Sequence, residues 1–232
     1  MALIYGISGS ERELLDKYPR TVKKIEDIER IYEDLKRQIN EEDDGFFGRI
    51  RKWRRQWQIN TFENNKDDPM HAGTRGELRV LNELSKLLDD YHVLCGVEFE
   101  LPRYVTYRDQ KNLKSAQMDF VVVSKRGVVI IEVKNWSDRY YEQNEGISPH
   151  EQVDRAGLVL WISLKSWRNP QDPPVTKVLL PIQENMRYDP NFKFVLVRHL
   201  GNINSFITNQ REVFSEKEAQ RIVGRLKGNV TQ

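Results

Sequence analysis

The sequence predicts a mixed α/β fold preceded by a helical region. Three observations lead there. Apolar residues step by three and four from Ile25 to Ile39. Two Val/Ile-rich runs, 117–124 and 128–135, flank the turn Lys125-Arg126-Gly127. From residue 74 onward the elements read α, three β, α, β, α. A chain of 232 residues has room for one sizeable core with an appendage, or for two small units.

The elements follow in order. Leu14, Leu15 and Tyr18 share one side of a short helical stretch ended by Pro19. Ile25, Ile28, Tyr32, Leu35 and Ile39 form one stripe of a longer helix. That stripe suits an intrachain helical hairpin or a homodimer formed through the N-terminal helices. The acidic run 41–44 and Gly45 end it. A third stretch carries Phe46, Ile50, Trp53 and Trp57 on one stripe, interleaved with Arg49, Arg51, Lys52, Arg54 and Arg55. The basic residues could track a phosphate backbone as a nucleic-acid-binding surface, with the tryptophans stacking on bases. The other reading packs the tryptophans on the core and leaves the arginines solvated; the stripe shared with Phe46 and Ile50 favours it. Residues 1–68 thus read as a helical N-terminal region, closed by a polar loop, and 69–232 as the main domain.

In that domain, 74–90 reads as a helix with Leu78, Leu81, Leu84 and Leu88 on its apolar side, and 91–101 as a strand. The runs 117–124 and 128–135 form an antiparallel hairpin. Pro149 opens a helix to about Trp167. The proline-rich stretch 168–190 reads as a loop, and 192–199 as a strand. Ser215 with Glu218 makes a capping box for a last helix to about Lys227.

Composition excludes several classes. Basic residues number 37 and acidic ones 35, so any basic patch must be local. The one cysteine, Cys95, allows neither an intramolecular disulfide nor a cysteine metal cluster; its apolar surroundings predict burial, and a lone cysteine fits a reducing cytoplasm. No N-terminal signal pattern and no apolar run near the roughly 20 residues of a membrane span is present, so a soluble, cytoplasmic protein without membrane partners is expected. No glycine-rich phosphate loop occurs. The four histidines are scattered; His150, beside the helix that carries Gln152, reads as a surface residue, with a role in the site as the other reading.

The two hairpin strands carry charge where buried strands should not. Asp119 lies near the start of the first. Glu132 and Lys134 lie near the end of the second, two apart and so on one face. A hairpin turning at 125–127 brings Asp119 to them. Charges beside an apolar core cost several kcal/mol unless partnered. Two converging carboxylates repel, and a divalent cation relieves that repulsion. A lysine beside them can orient water or steady a charged transition state, a set suited to phosphodiester hydrolysis. A plain ion pair at a sheet end is the competing reading of the same residues.

Gly73-x-x-Gly76-Glu77 opening a helix, Gln117-x-Asp119, Glu132-x-Lys134-Asn135-Trp136 and Pro149-x-x-Gln152 resemble, in order, the nuclease-related domain (NERD) family of the PD-(D/E)xK nuclease superfamily. The resemblance covers about residues 70–200. It implies a restriction-endonuclease-like αβββαβ core, a small mixed sheet flanked by helices, here with a helical N-terminal extension. It implies Asp119 and Glu132 as metal ligands with the backbone carbonyl of Val133, and Glu77 completing the acidic cluster directly or through water. Lys134 would position or activate the attacking water, and Gln117 and Gln152 would hold Lys134 or a phosphate. Trp136 reads as a packing residue. Met118 stands where the superfamily has its leading proline.

The expected function is a Mg²⁺- or Mn²⁺-dependent nuclease acting on DNA rather than RNA, with a helicase or other protein as a partner that could supply substrate. The alternative is a catalytically inactive nucleic-acid-binding or adaptor module on the same fold.

Overall fold

The computed structural model describes residues 1–42, 45–135, 147–167, 173–183, 186 and 188–231, with Phe46 described by its backbone alone. The chain divides into two compact units, Met1–Gly9 with Arg75–Gln232, and Ser10–Thr74.

The first unit is built on a six-stranded mixed sheet in sequential order: β1 (Leu3–Tyr5), β2 (His92–Tyr107), β3 (Gln110–Ser124), β4 (Gly127–Lys134), β5 (Val175–Pro181) and β6 (Val195–Val197). Strands β2, β3 and β4 are antiparallel neighbours; β1 joins β2 in parallel, and β4, β5 and β6 are parallel. Among the helices, α1 is Gly9–Asp16, α2 Asp27–Glu41, α3 Phe46–Asn65, α4 Met70–Leu84, α5 Pro149–Trp167, α6 Ile203–Thr208 and α7 Glu216–Leu226. Ala156, Val159, Leu160 and Leu164 of α5 and Ile222, Val223 and Leu226 of α7 pack with Val128 and Ile130 on one face. Val80 and Leu84 of α4 and Ile203 and Ile207 of α6 pack with Val129, Ile131 and Val133 on the other. Strand β4 is therefore buried on both sides, which is why it reads as a continuous apolar run. Each fully buried aliphatic side chain contributes about 1.5–3 kcal/mol. Five on this one strand outweigh a cost of several kcal/mol for burying charge at its end.

The α/β core with flanking helices is the expected one, and the capping box at Ser215 is present, with Glu218 N–H donating to Ser215 Oγ. Cys95 is buried. Several stretches differ from the reading of the sequence. The stretch taken as a proline-rich loop contains β5, with Val178, Leu179 and Leu180 fully buried. Pro173, Pro174 and Pro181 border or end this strand and do not interrupt its ladder, as the positional rule for proline requires. Strands β2 and β3 also run beyond the stretches 91–101 and 117–124 read as strands, and they join as a hairpin. It closes at Arg108-Asp109, both left-handed (φ 40° and 57°), a turn without the Asn-Gly signal that would have marked it. Strand β1 falls within the stretch read as helical.

Gly96 marks where β2 changes its pleat. Before it, Val93 and Cys95 pack on the α4 face; after it, Val97 and Phe99 pack on the α5 face. Its φ is +56°, and a Cβ there would stand 2.5 Å from Thr231 Oγ1 and 2.9 Å from Ile7 O.

The second unit is helical. The α2 stripe packs with Leu14 of α1, with Tyr18 just after that helix, and with Ile59 and Phe62 of α3, so it is used inside the unit as a helical hairpin. Tyr18 Oη meets His71 Nε2 at 2.8 Å, and Lys17 pairs with Asp68. The tryptophans do not join this core. Trp53 is 70% and Trp57 62% exposed, because Ile59 and Phe62 set the buried face and the Trp53–Trp57 stripe lies on the opposite side of α3.

Gly96→Ala is expected to lower unfolding stability by roughly 2 kcal/mol, from the left-handed backbone and the clash with Thr231. Urea denaturation measures it; an unchanged midpoint would show that the bend tolerates a side chain.

Candidate active site

Strand β3 leaves β4 at Phe120↔Ile131, the last registered pair on that side. One residue on, Asp119 Oδ2 accepts the N–H of Val133 at 2.7 Å. A carboxylate thus takes the place of the ladder carbonyl that β3 no longer supplies. In extended backbone a residue's N–H and C=O point to the same side, so the Val133 carbonyl also faces the gap that β3 opens.

Glu132 follows Val128 and Ile130 on the α5 face by strand alternation. Its side chain is 2% exposed. Oε1 accepts from Lys134 Nζ at 2.7 Å. Oε2 is buried and has no hydrogen-bond partner among the described residues. An ion pair for its own sake would turn both oxygens to donors, since a buried unmet acceptor is costly. The site therefore holds one carboxylate oxygen ready for something else.

Glu77 sits on α4, one turn before Val80 on the helix's sheet-facing stripe, and is 7% exposed. Its helix comes close to the strand ends because residue 76 is glycine: a Cβ there would lie 3.0 Å from Asn135 Cβ and 3.3 Å from Ile182 Cγ1. No such contact explains Gly73. Burial, followed by the charges of Glu132 and Glu77, pushes the Asp119 carboxyl well above the usual carboxylate range, against the pull of the Val133 N–H and Lys134. Burial also raises Glu132, with Lys134 opposing. Among the described residues no three acidic or imidazole side chains close into one ligand group, and the Glu77 charge acts on Asp119. The oxygen donors of Asp119, Glu132 and Val133 are of the kind Mg²⁺ and Mn²⁺ take, and the orphaned Glu132 Oε2 fits such an ion.

The two glutamines are placed differently. Gln152 lies in the first turn of α5, one turn before the core residue Ala156. Helix α5 connects β4 to the parallel β5, so its N-terminus lies at the Glu132–Lys134 end of the sheet. Gln117 is exposed, and its amide lies over Gly9, where no side chain stands. Trp136 lies outside the described residues. His150, read as a surface residue, is instead 1% exposed, with its ring 6.1 Å from that of Phe192; its place beside Pro149 at a helix start gave no sign of burial. Asp154 on α5 accepts from Tyr107 Oη at 3.0 Å and from Lys177 Nζ at 2.5 Å, a link between α5, β2 and β5 that the sequence did not suggest.

Residues 72–180 match the family model of the nuclease-related domain. This segment is similar to the nuclease-related domain (NERD) family. The NERD segment contains Glu77, Gln117, Asp119, Glu132, Lys134 and Gln152, so the converging charges lie within the part the family defines. It ends inside β5 and leaves α1 to α3 outside. No curated protein matches the chain.

The clustered carboxylates make a charge prediction. The Asp119 carboxyl is raised in the folded protein, so its ionised form costs stability at neutral pH, and that cost fades as pH falls through the folded value towards the unfolded one near 4. In metal-free buffer Asp119→Asn, which keeps an acceptor for the Val133 N–H, should melt higher than the native protein at pH 8, with the gap closing towards pH 4. Equal melting at pH 8 would show the charges already compensated within the chain.

Proposed function

We propose that the nuclease-related domain hydrolyses phosphodiester bonds of nucleic acid, DNA in preference to RNA, with a bound Mg²⁺ or Mn²⁺. The observation that carries this reading is Glu132: one oxygen engaged by Lys134, the other buried with no hydrogen-bond partner among the described residues. Asp119, Glu132 and the Val133 carbonyl would hold the ion, with Glu77 joining directly or through water. The ion would supply a Lewis acid for the phosphoryl oxygen and a lowered pKa for water.

The chain's own residues do the rest. The Val133 N–H fixes the Asp119 carboxylate, so it needs no reorganisation on binding. Glu132 holds the Lys134 ammonium in a low-dielectric corner, where its charge acts strongly on an incoming phosphate and orients the attacking water. As that water's oxygen bonds to phosphorus, the bond to the leaving oxygen breaks. Gln152, at the same end of the sheet, can hold a phosphate oxygen through its amide. The absence of a closed three-side-chain ligand group among the described residues favours, as second reading, a binding or adaptor module without turnover.

Labelled single- and double-stranded DNA and RNA, incubated with Mg²⁺, Mn²⁺ or EDTA, separate the two. Cutting should need the ion, and Glu132→Ala and Lys134→Ala should each lower it by at least about 100-fold. Binding without cutting under every condition would favour the adaptor reading, and retained cutting in Lys134→Ala would remove that residue from the chemistry.

A further inference from the structure

Helix α3 carries an apolar stripe on the side away from its core. Phe47 is 72% exposed, Ile50 39%, Trp53 70% and Trp57 62%, while Ile59 and Phe62 are the buried contacts. Large rings standing in water on a helix with a separate buried face are not core residues, and such a patch marks a binding surface. At 100° per residue Arg49 borders the stripe on one side, and Arg54 lies on the other between Ile50 and Phe47. The helix carries Arg49, Arg51, Lys52, Arg54 and Arg55 against one acid, Glu63. Arg51 and Arg55 pair with Glu42, whereas Arg49 and Arg54 form no ion pair among the described residues.

We propose that this face of α3 binds a single-stranded nucleic acid, with Trp53 and Trp57 stacking on bases and Arg49 and Arg54 holding the phosphates. The choice of ligand rests on the nucleic-acid reading of the nuclease-related domain; the surface chemistry stands by itself. Exposed tryptophans set between arginines match the alternation of flat apolar bases and charged phosphates along a strand, and bases offer their faces only when unpaired. Two-fold pairing of the stripe with a second copy would press Arg49 and Arg54 against their own kind. A helix lying on a membrane would carry the apolar stripe along its length, but beyond Trp57 the same side continues as Asn60, Thr61 and Asn64.

The test measures binding of the full chain to a labelled single strand, as DNA and as RNA of the same sequence, and to the duplex, all in EDTA. Trp53→Ala/Trp57→Ala should weaken single-strand binding at least tenfold and duplex binding far less, and Trp53→Phe/Trp57→Phe should restore most of it. Arg49→Ala/Arg54→Ala should flatten the salt dependence. The DNA and RNA arms show which strand is preferred. Unchanged single-strand affinity in the double alanine variant overturns the proposal. So does tryptophan-dependent binding to anionic lipid vesicles without strand binding, or loss of a dimer in that variant with strand affinity intact. Because no cleavage is read, an inert Asp119–Glu132 centre would leave this result untouched, and a silent stripe would leave the cutting assay untouched.

Discussion

The hydrogen bond from the Val133 amide to the Asp119 carboxylate is the constraint on which the site depends. A ladder position is vacated where β3 leaves β4, and a backbone N–H buried there without a partner would be costly. Asp119 meets that need with a charged group, which places an acid against a backbone amide whose carbonyl faces the same gap. The next two outward side-chain positions on the α5 face of β4, Glu132 and Lys134, then fall beside it through strand alternation alone.

The rest of the fold makes this tolerable. Strand β4 is apolar on both faces and held between two helical layers, so the sheet can carry charge at one end. Gly96 lies across from Asp119, between the pairs Cys95↔Phe120 and Val97↔Met118, and the pleat of β2 changes there. Gly76 lets α4 approach the ends of β4 and β5 and brings Glu77 within electrostatic reach of Asp119. Each glycine costs local stability through its conformational freedom.

The central hairpin was legible because charges in otherwise apolar strands stand out against a strict two-residue period. Its register followed from the short turn at 125–127. Helix α5 and the last helix announced themselves through Pro149 and the Ser215–Glu218 box. What stayed hidden lacked a local signal. Strand β5 is short and hemmed by prolines, and the parallel pairing that stabilises it is a long-range contact. The Arg108-Asp109 turn uses left-handed residues other than glycine or asparagine. The Trp53–Trp57 stripe has the spacing of a buried face; periodicity tells which residues share a side, and only packing tells which side is covered.

In the proposed function, Asp119 and Glu132 would form one divalent-cation site, with the second Glu132 oxygen taking the ion. Calorimetric titration of Mn²⁺ into the native chain, Glu132→Gln and Lys134→Ala tests it most directly. One saturable ion per native chain is expected, with loss of binding in Glu132→Gln and binding kept in Lys134→Ala. Equal affinity in the native chain and Glu132→Gln would contradict it, leaving Glu132 and Lys134 as an ion pair at the end of a strand.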